Sequence, residues 1–320
     1  MKKISLLLVF FALIPFIAMA SGVCDTVIHP MVGTSVRSAD RRLTVTLVGK
    51  KQSHSLTDTL TWDSDVRSPK SVNIHPNGQK YYVNSLEGAK TVVYATRDNA
   101  KLKVINHQFD ESDSLLWAAP SGWYEFTHYT EDLNTFKGKP VESAFTHNGR
   151  YLWVTYYRRS YDINAQDPSA LAVIDTETDS IVRLMETGPL PKMVAVDNDN
   201  NCYVAITHWG DNTVGIAVID DMVDGKSVVS GWKNCKVGTG ARTIDITPDG
   251  RYVLAVCNYS SRLMVVDTET MRVVVSIAAD SYPVGLDISD DGRYVYTTSQ
   301  GRSSIGGNCV DIYRLDYGGD

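Results

Sequence analysis

The chain has 320 residues, 43% of them apolar, with 37 acidic against 31 basic residues and a net charge of −6. That apolar share can build a real core, which argues against a disordered chain. The acidic balance lacks the basic footprint of a nucleic-acid binder.

The first twenty residues read as a secretory leader. Lys2 and Lys3 give a positive start, Ile4–Ile17 is almost wholly apolar, and Ala18-Met19-Ala20 is a small-x-small cleavage site. The run contains Pro15 and is too short for a spanning helix, and no later segment is long and apolar enough to be one. Residues 1–20 are therefore expected to be a signal peptide, and 21–320 a single exported, monomeric domain, periplasmic or secreted. Removing the two lysines shifts the net charge to −8. A surface lipoprotein anchored at Cys24 is the alternative, but Val23 stands where such sites take a small residue. Five cysteines remain (Cys24, Cys202, Cys235, Cys257 and Cys309), so at least one is unpaired, and their spacing matches no zinc pattern. Cys202 and Cys257 fall in apolar runs, where a free thiol behaves as a small apolar side chain. "RRLTVTLVG" near residue 45 has strand character and no repeat of its own.

From Pro69 onward the chain repeats. "PKSVNIHPNG" at Pro69, "PVESAFTHNG" at Pro140, "PKMVAVDNDN" at Pro191, "ARTIDITPDG" at Ala241 and "PVGLDISDDG" at Pro283 share one register. Each is followed by an apolar run such as "RYLWVTY" or "RYVLAVC". The turn positions Gly78, Gly149, Asn200, Gly250 and Gly292 are spaced by 71, 51, 50 and 42 residues. Alternating Val, Ile, Tyr and Thr on a period near the forties points to β-propeller blades. The 71-residue step is too long for one blade and is expected to hide a degenerate one within Asn106–Gly138, using "SLLWAAP" and "GWYEFTHY". Third and fourth strands show as "LAVIDTETDSIVRLMETG" and "LMVVDTETMRVVVSIAAD". Asp175 and Asp267 in these "DTET" turns, and Asp249 and Asp291 in the "PDG" and "DDG" turns, read as turn-closing carboxylates. His75 and His147, beside turns of the repeat, also read as structural.

The expected fold is all-β: a closed propeller of four-stranded blades. Seven blades of about 43 residues fill the chain and six larger ones nearly do. After "RYVYTTS" a single further strand, "CVDIYRL", remains, so the last blade lacks a fourth. An open ring leaves unpaired edges, and the N-terminal segment is expected to supply the missing outer strand. Cys24 at its start and Cys309 on the adjoining strand would then be a candidate disulfide.

The pattern P-x-x-[VI]-x-[VI]-x-P-[DN]-G-[RQ]-x-Y-V, followed by V-x-V-[IV]-D-T-x-T, resembles the YVTN-repeat propellers, or YncE-like family, over roughly Ser68–Leu315. The resemblance implies a fold within the lactonase-like propeller superfamily. It implies no activity, because the motif consists of strands and turns.

Up-and-down connectivity places the loop before each first strand and the loop between second and third strands on one ring face. Lys70, Glu142, Lys192, Arg242 and Tyr282 enter the first strands. Tyr157, Arg158, His208, Trp209, Asp211, Tyr259, Arg262 and Arg302 come from the second-to-third loops. Aromatics offer stacking surface and arginine forks suit carboxylate or phosphate. The ligand-binding candidates are therefore Lys70, Glu142, Tyr157, Arg158, Lys192, His208, Trp209, Arg242, Tyr259, Arg262 and Arg302. A non-catalytic binder of a small molecule or protein partner is the leading expectation. A lactonase-like hydrolase on the same face is the alternative, with no catalytic residue assigned, since there is no G-x-S-x-G elbow and His208 with Asp211 alone is not a metal site. A cofactor or electron-transfer propeller ranks third. No C-x-x-C-H haem motif occurs, and neither a cofactor nor a metal is expected.

Overall fold

The computed structural model describes residues 30–54, 61–117, 135–159, 167–197, 203–218, 233–302 and 306–318. By packing, the chain divides into two units, residues 1–50 and 51–320. The described part of the first unit is a small hairpin, β1 (Ser35–Arg37) with β2 (Thr44–Thr46), in which Val36 faces Val45.

The described residues of the second unit form five antiparallel sheets in chain order. The first holds β3 (Pro69–Ile74), β4 (Lys80–Ser85), β5 (Lys90–Ala95) and β6 (Lys101–Asn106). The second holds β7 (Gln108–Asp110), β8 (Thr135–Thr146), β9 (Tyr151–Arg159), β10 (Pro168–Asp175) and β11 (Ser180–Pro189). The third is β12 (Pro191–Val196), β13 (Tyr203–His208), β14 (Thr213–Val218) and β15 (Lys233–Lys236). The fourth is β16 (Ala241–Ile246), β17 (Tyr252–Cys257), β18 (Arg262–Asp267) and β19 (Arg272–Ala278). The last is β20 (Pro283–Ile288), β21 (Tyr294–Ser299) and β22 (Cys309–Arg314). The first strands pack in succession, β3 against β8, β8 against β12, β12 against β16 and β16 against β20. This is the arrangement of propeller blades around an axis.

The apolar runs are continuous rather than alternating because each middle sheet is covered on both faces. On β9, Leu152 and Val154 meet Tyr82 and Val93 of the first sheet, while Tyr151 and Trp153 meet Val194 and Ile206 of the third. Each fully buried side chain of this size stabilises the fold by roughly 1.5–3 kcal/mol before entropy is counted.

The repeat residues do structural work at the turns. The hydroxyls of Thr96, Thr176 and Thr268 donate to the carbonyls of the turn glycines Gly78, Gly149 and Gly250 at 2.6, 2.7 and 3.0 Å. This bond ties the third-strand turn to the first and explains the Thr of the "DT" motif. Gly78, Gly250 and Gly292 all have φ near +70°, a conformation that a side chain disfavours. Asp249 and Asp291 accept backbone N–H bonds from Arg251 and Arg293, and Asp175 and Asp267 from Glu177 and Thr270. His75 accepts from the Asn77 N–H at Nδ1 and donates from Nε2 to the Gly149 carbonyl at 3.0 Å, binding the first sheet to the second.

One expectation changes. Asn106–Gly138 holds no separate blade in its described part: β7 joins the second sheet, and Glu111–Leu116 is a 3-10 turn where "SLLW" was read as strand. "GWYEFTHY" lies outside the described residues. The described residues form five blade-like sheets of three to five strands. Among the described residues the last sheet has three strands, and within the first unit the described part of "RRLTVTLVG" pairs with β1. β20 and β3 do not pack as the other first strands do, and Val72, Ile74, Val310 and Ile312 are exposed at the two ends of the series.

One carboxyl between blades should make stability pH-dependent. Asp245 on β16 accepts the Ile246 N–H and, across the blade boundary, the Ile288 N–H at 3.2 Å. Burial, aided weakly by Asp287, pushes its pKa up to about 6 despite those bonds. A raised carboxyl pKa favours the folded state while the group is protonated. Its contribution is full below the unfolded value of 3.8 and is lost as pH rises through about 6. The expected loss is about 2–3 kcal/mol. Urea titrations of the protein and of Asp245→Asn should diverge over this window, and parallel curves would overturn the assignment.

Candidate functional site

Each first strand begins with a break in register: between Pro69 and Ser71, Pro140 and Ser143, Pro191 and Val194, Ala241 and Thr243, and Pro283 and Gly285. A bulge at a strand start re-aims the side chain it carries. These breaks carry Lys70, Glu142, Lys192 and Arg242. Polar bonds across blade boundaries fix the same points. Ser71 Oγ donates to the Val141 carbonyl at 2.6 Å, Thr207 Oγ1 to that of Arg242 at 2.9 Å, and Asn258 Nδ2 to that of Pro283 at 2.9 Å.

The aromatic wall comes from Tyr157, which lies within β9 rather than in a loop, from Trp209 and Tyr259 just after β13 and β17, and from Tyr282 just before β20. Lys192 Nζ lies 4.3 Å from the Trp209 ring centroid and 4.9 Å from that of Tyr157. The Arg242 guanidinium lies 5.7 Å from the same Trp209 ring. Trp209 meets Tyr259 edge-on at 5.4 Å, Tyr259 meets Tyr282 edge-on at 6.3 Å, and Arg302 donates to the Tyr282 hydroxyl at 3.0 Å. Tyr259 is held by its N–H to the Thr239 carbonyl and packs on Gly240, where a Cβ would stand 3.0 Å from the ring. The ring is 58% exposed and so presents an open face.

The electrostatics of this group are unusual for an acidic protein. Burial, then Arg242, then Lys70, push the Lys192 amine down to about 8, with Glu142 opposing. Burial raises the Glu142 carboxyl above the usual range, against the pull of Lys70 and Lys192. Three cations and one reluctant carboxyl therefore share one partly dry region.

The sequence signature of the YNCE-like β-propeller covers residues 132–313, more than half of the chain. The chain belongs to this family. No curated protein matches it by sequence. Among solved structures, Kuenenia stuttgartiensis hydrazine synthase is similar with a TM-score of 0.56 and 16% identity over 79% of this chain and 65% of that one. A functionally unknown protein of Desulfotomaculum acetoxidans gives 0.56 and 14% over 78% and 66%. The chain thus spans just under two thirds of both. A putative 6-phosphogluconolactonase of Bacteroides fragilis gives 0.53 and 15% over 89% and 80%. At such identities these likenesses show the fold alone.

Of the residues expected to line the site in this YNCE-like propeller, the structure brings Lys70, Glu142, Tyr157, Lys192, Trp209, Arg242 and Tyr259 into one connected group, with Arg302 joined through Tyr282. It does not bring the rest. His208 is wholly buried at the end of β13, its Nδ1 2.9 Å from Thr213 Oγ1, and burial pushes its pKa down to about 4. It is a neutral interior side chain, and Asp211 bonds to Thr213 rather than to it. The charge of Arg158 lies towards Glu87, whose carboxyl is held low chiefly by Lys139. Arg262 is exposed at the start of β18, outside the contacts of the aromatic group. Cys309 Sγ lies 3.3 Å from Asp311 Oδ1, and Cys24, its expected partner, lies outside the described residues.

Tyr282, placed on this face by the repeat but left out of the candidate set, is the joint between Tyr259 and Arg302. Its signal was a large aromatic immediately before the Pro283 repeat. A separate cavity of about 830 Å³ lies at the turn end of the first two sheets, lined by His75, Lys80, Arg97, His147 and Arg150 among others. Two of its cations are already neutralised, Lys80 by Asp179 and Arg150 by Asp175, each at 2.8 Å. On the aromatic face, Lys70, Lys192 and Arg242 form no ion pair among the described residues.

Proposed function

We propose that this YNCE-like propeller binds a small, planar, anionic ligand on the face formed by Lys70, Lys192, Arg242, Trp209 and Tyr259. The observation that carries the reading is the convergence of three like charges on aromatic rings, with Tyr259 exposed beside them. Their mutual repulsion raises the energy of the empty site, and an anion relieves it. Ring stacking supplies the remaining affinity and selects planar ligands. Binding an anion should raise the Lys192 pKa from about 8, so the protein takes up protons on binding at slightly alkaline pH. Affinity should therefore grow as pH falls through about 8, and calorimetric enthalpies should depend on the buffer's ionisation heat. Proton release on binding, or none, would count against this account.

The decisive experiment is a thermal-shift screen against aromatic carboxylates and aryl phosphates, repeated with Arg242→Met. A ligand that binds the native state raises the melting temperature. The expected result is a shift that Arg242→Met removes. A panel that gives no shift, or shifts the variant does not change, rejects the reading.

Export belongs to the same proposal. The leader-like first twenty residues support it, and no helix among the described residues is long and apolar enough to cross a membrane. So does completion of a single propeller by an N-terminal strand on the free edge of β22. Deleting residues through Gly49 should then lower stability, and an unchanged unfolding midpoint would reject closure. A Cys24–Cys309 bond is tested by unreduced peptide mapping, where free thiols at both positions dismiss it.

A further inference from the structure

We propose that Lys192 is a nucleophilic amine that captures anionic carbonyl compounds, aromatic aldehydes foremost, as an imine. This deepens the anion-binding reading and rests on it. The other well-placed lysines of the fold are neutralised: Lys80, Lys90, Lys101 and Lys139 each hold a carboxylate oxygen at 2.6–2.8 Å. Lys192 is different. Among the described residues no carboxylate lies within ion-pair distance of its Nζ, which is held between the Tyr157 and Trp209 ring faces.

The groups facing it are Arg242 from β16, Lys70 from β3, Glu142 from β8 and Tyr157 from β9. Two cations outnumber the single carboxyl, whose own pKa burial raises. Partial burial beside other cations is the environment that turns a lysine into a nucleophile. It agrees with an amine held down at about 8. Near that pH about half of such amines are free base, against well under 1% for an ordinary lysine.

The chemistry closes without a further reagent. The Nζ lone pair attacks the carbonyl carbon, an N–C bond forms, and the carbonyl oxygen becomes the hydroxyl of a carbinolamine. That hydroxyl leaves as water while nitrogen gives up its remaining proton, so amine plus aldehyde yields imine plus one water. The departing hydroxyl takes its proton from solvent, which recovers the one that nitrogen gives up. Arg242 and Lys70 hold the anionic substituent, and Trp209 offers a face to the aromatic ring.

The test uses the whole protein with pyridoxal 5′-phosphate, an anionic aromatic aldehyde, followed by borohydride reduction and peptide mapping. Lys192 should be labelled at least tenfold faster than any other lysine, with a rate that rises through about pH 8. Exposed Lys70 is the internal control in the same site. Lys192→Arg should remove the fast adduct. Arg242→Met should slow capture of both aldehydes, because Arg242 helps to hold the Lys192 amine down, and should slow the phosphorylated aldehyde several-fold more than benzaldehyde. Labelling spread evenly over surface lysines, or Lys192 no faster than Lys70, overturns the proposal, and mapping the unaltered protein gives this answer whether or not the variants fold. Pyridoxine 5′-phosphate, the same kind of anion without a carbonyl, separates the two readings. If it binds while Lys192 is not preferred, capture fails and the anion site stands. If it does not bind and Lys192 is not preferred, both fail.

Discussion

Trp153→Ala is expected to destabilise the protein by about 3–5 kcal/mol, the range for removing a large aromatic from a packed core. Trp153 is wholly buried between the second and third sheets, against Leu171, Val173, Val194 and Ile206. Its Nε1–H donates to Thr146 Oγ1 at 3.0 Å, so truncation opens a cavity and also removes a buried hydrogen bond. The surrounding side chains belong to β-strands whose positions are fixed by their ladders, which limits collapse into the space. Ile312→Ala on β22 makes the contrast: that side chain is 63% exposed, and its loss should cost no more than about 0.5 kcal/mol. Urea unfolding of both variants checks the pair. A cost below about 1 kcal/mol at Trp153 would mean that the second and third sheets do not depend on each other for stability.

The parts of the molecule legible in the sequence are those where one physical constraint recurs in every blade. The turn glycines recur because φ near +70° disfavours a side chain, and the "DT" threonines recur because each hydroxyl meets the same glycine carbonyl. Recurrence also located Lys70, Lys192 and Arg242, since equal repeat positions become neighbouring positions around an axis. Features that occur once were not legible in that way. His208 was assigned to a loop but is the last residue of β13, paired with Thr213, and a shift of one residue in strand end turns a side chain from loop to interior. The 71-residue step predicts a degenerate blade after Asn106. Phe109, Trp117 and Phe136 instead extend the core of the second sheet beside Tyr156. Sequence also could not supply the register break at each strand start, because a bulge depends on which residues face each other across the pair. Those breaks carry the charged residues of the site.

Trp209→Ala is expected to weaken binding of a planar anion by roughly ten- to a hundredfold, about 1.4–2.8 kcal/mol. Trp209 is the residue through which the site is connected. It faces the Lys192 ammonium and the Arg242 guanidinium and meets Tyr259 at its edge. Without the ring, the ligand loses a stacking face, and both cations lose the surface that keeps them in place. The same substitution admits water to Lys192, whose pKa is held at about 8 by burial first and by Arg242 and Lys70 second. The amine should therefore move up towards 10.5, its ordinary value. The sign of the stability effect follows. A depressed lysine pKa gives a contribution that is present above the unfolded value and lost as pH falls through about 8, so the variant should show a flatter stability profile between those limits. Trp209→Phe keeps a ring with a weaker face and should fall between the two. Calorimetry with a ligand from the anion screen, together with the pH dependence of Lys192 labelling, measures both effects. An alanine variant that binds as the parent does, with Lys192 still reacting as an amine of pKa about 8, would remove Trp209 from the site and leave the charges without their wall.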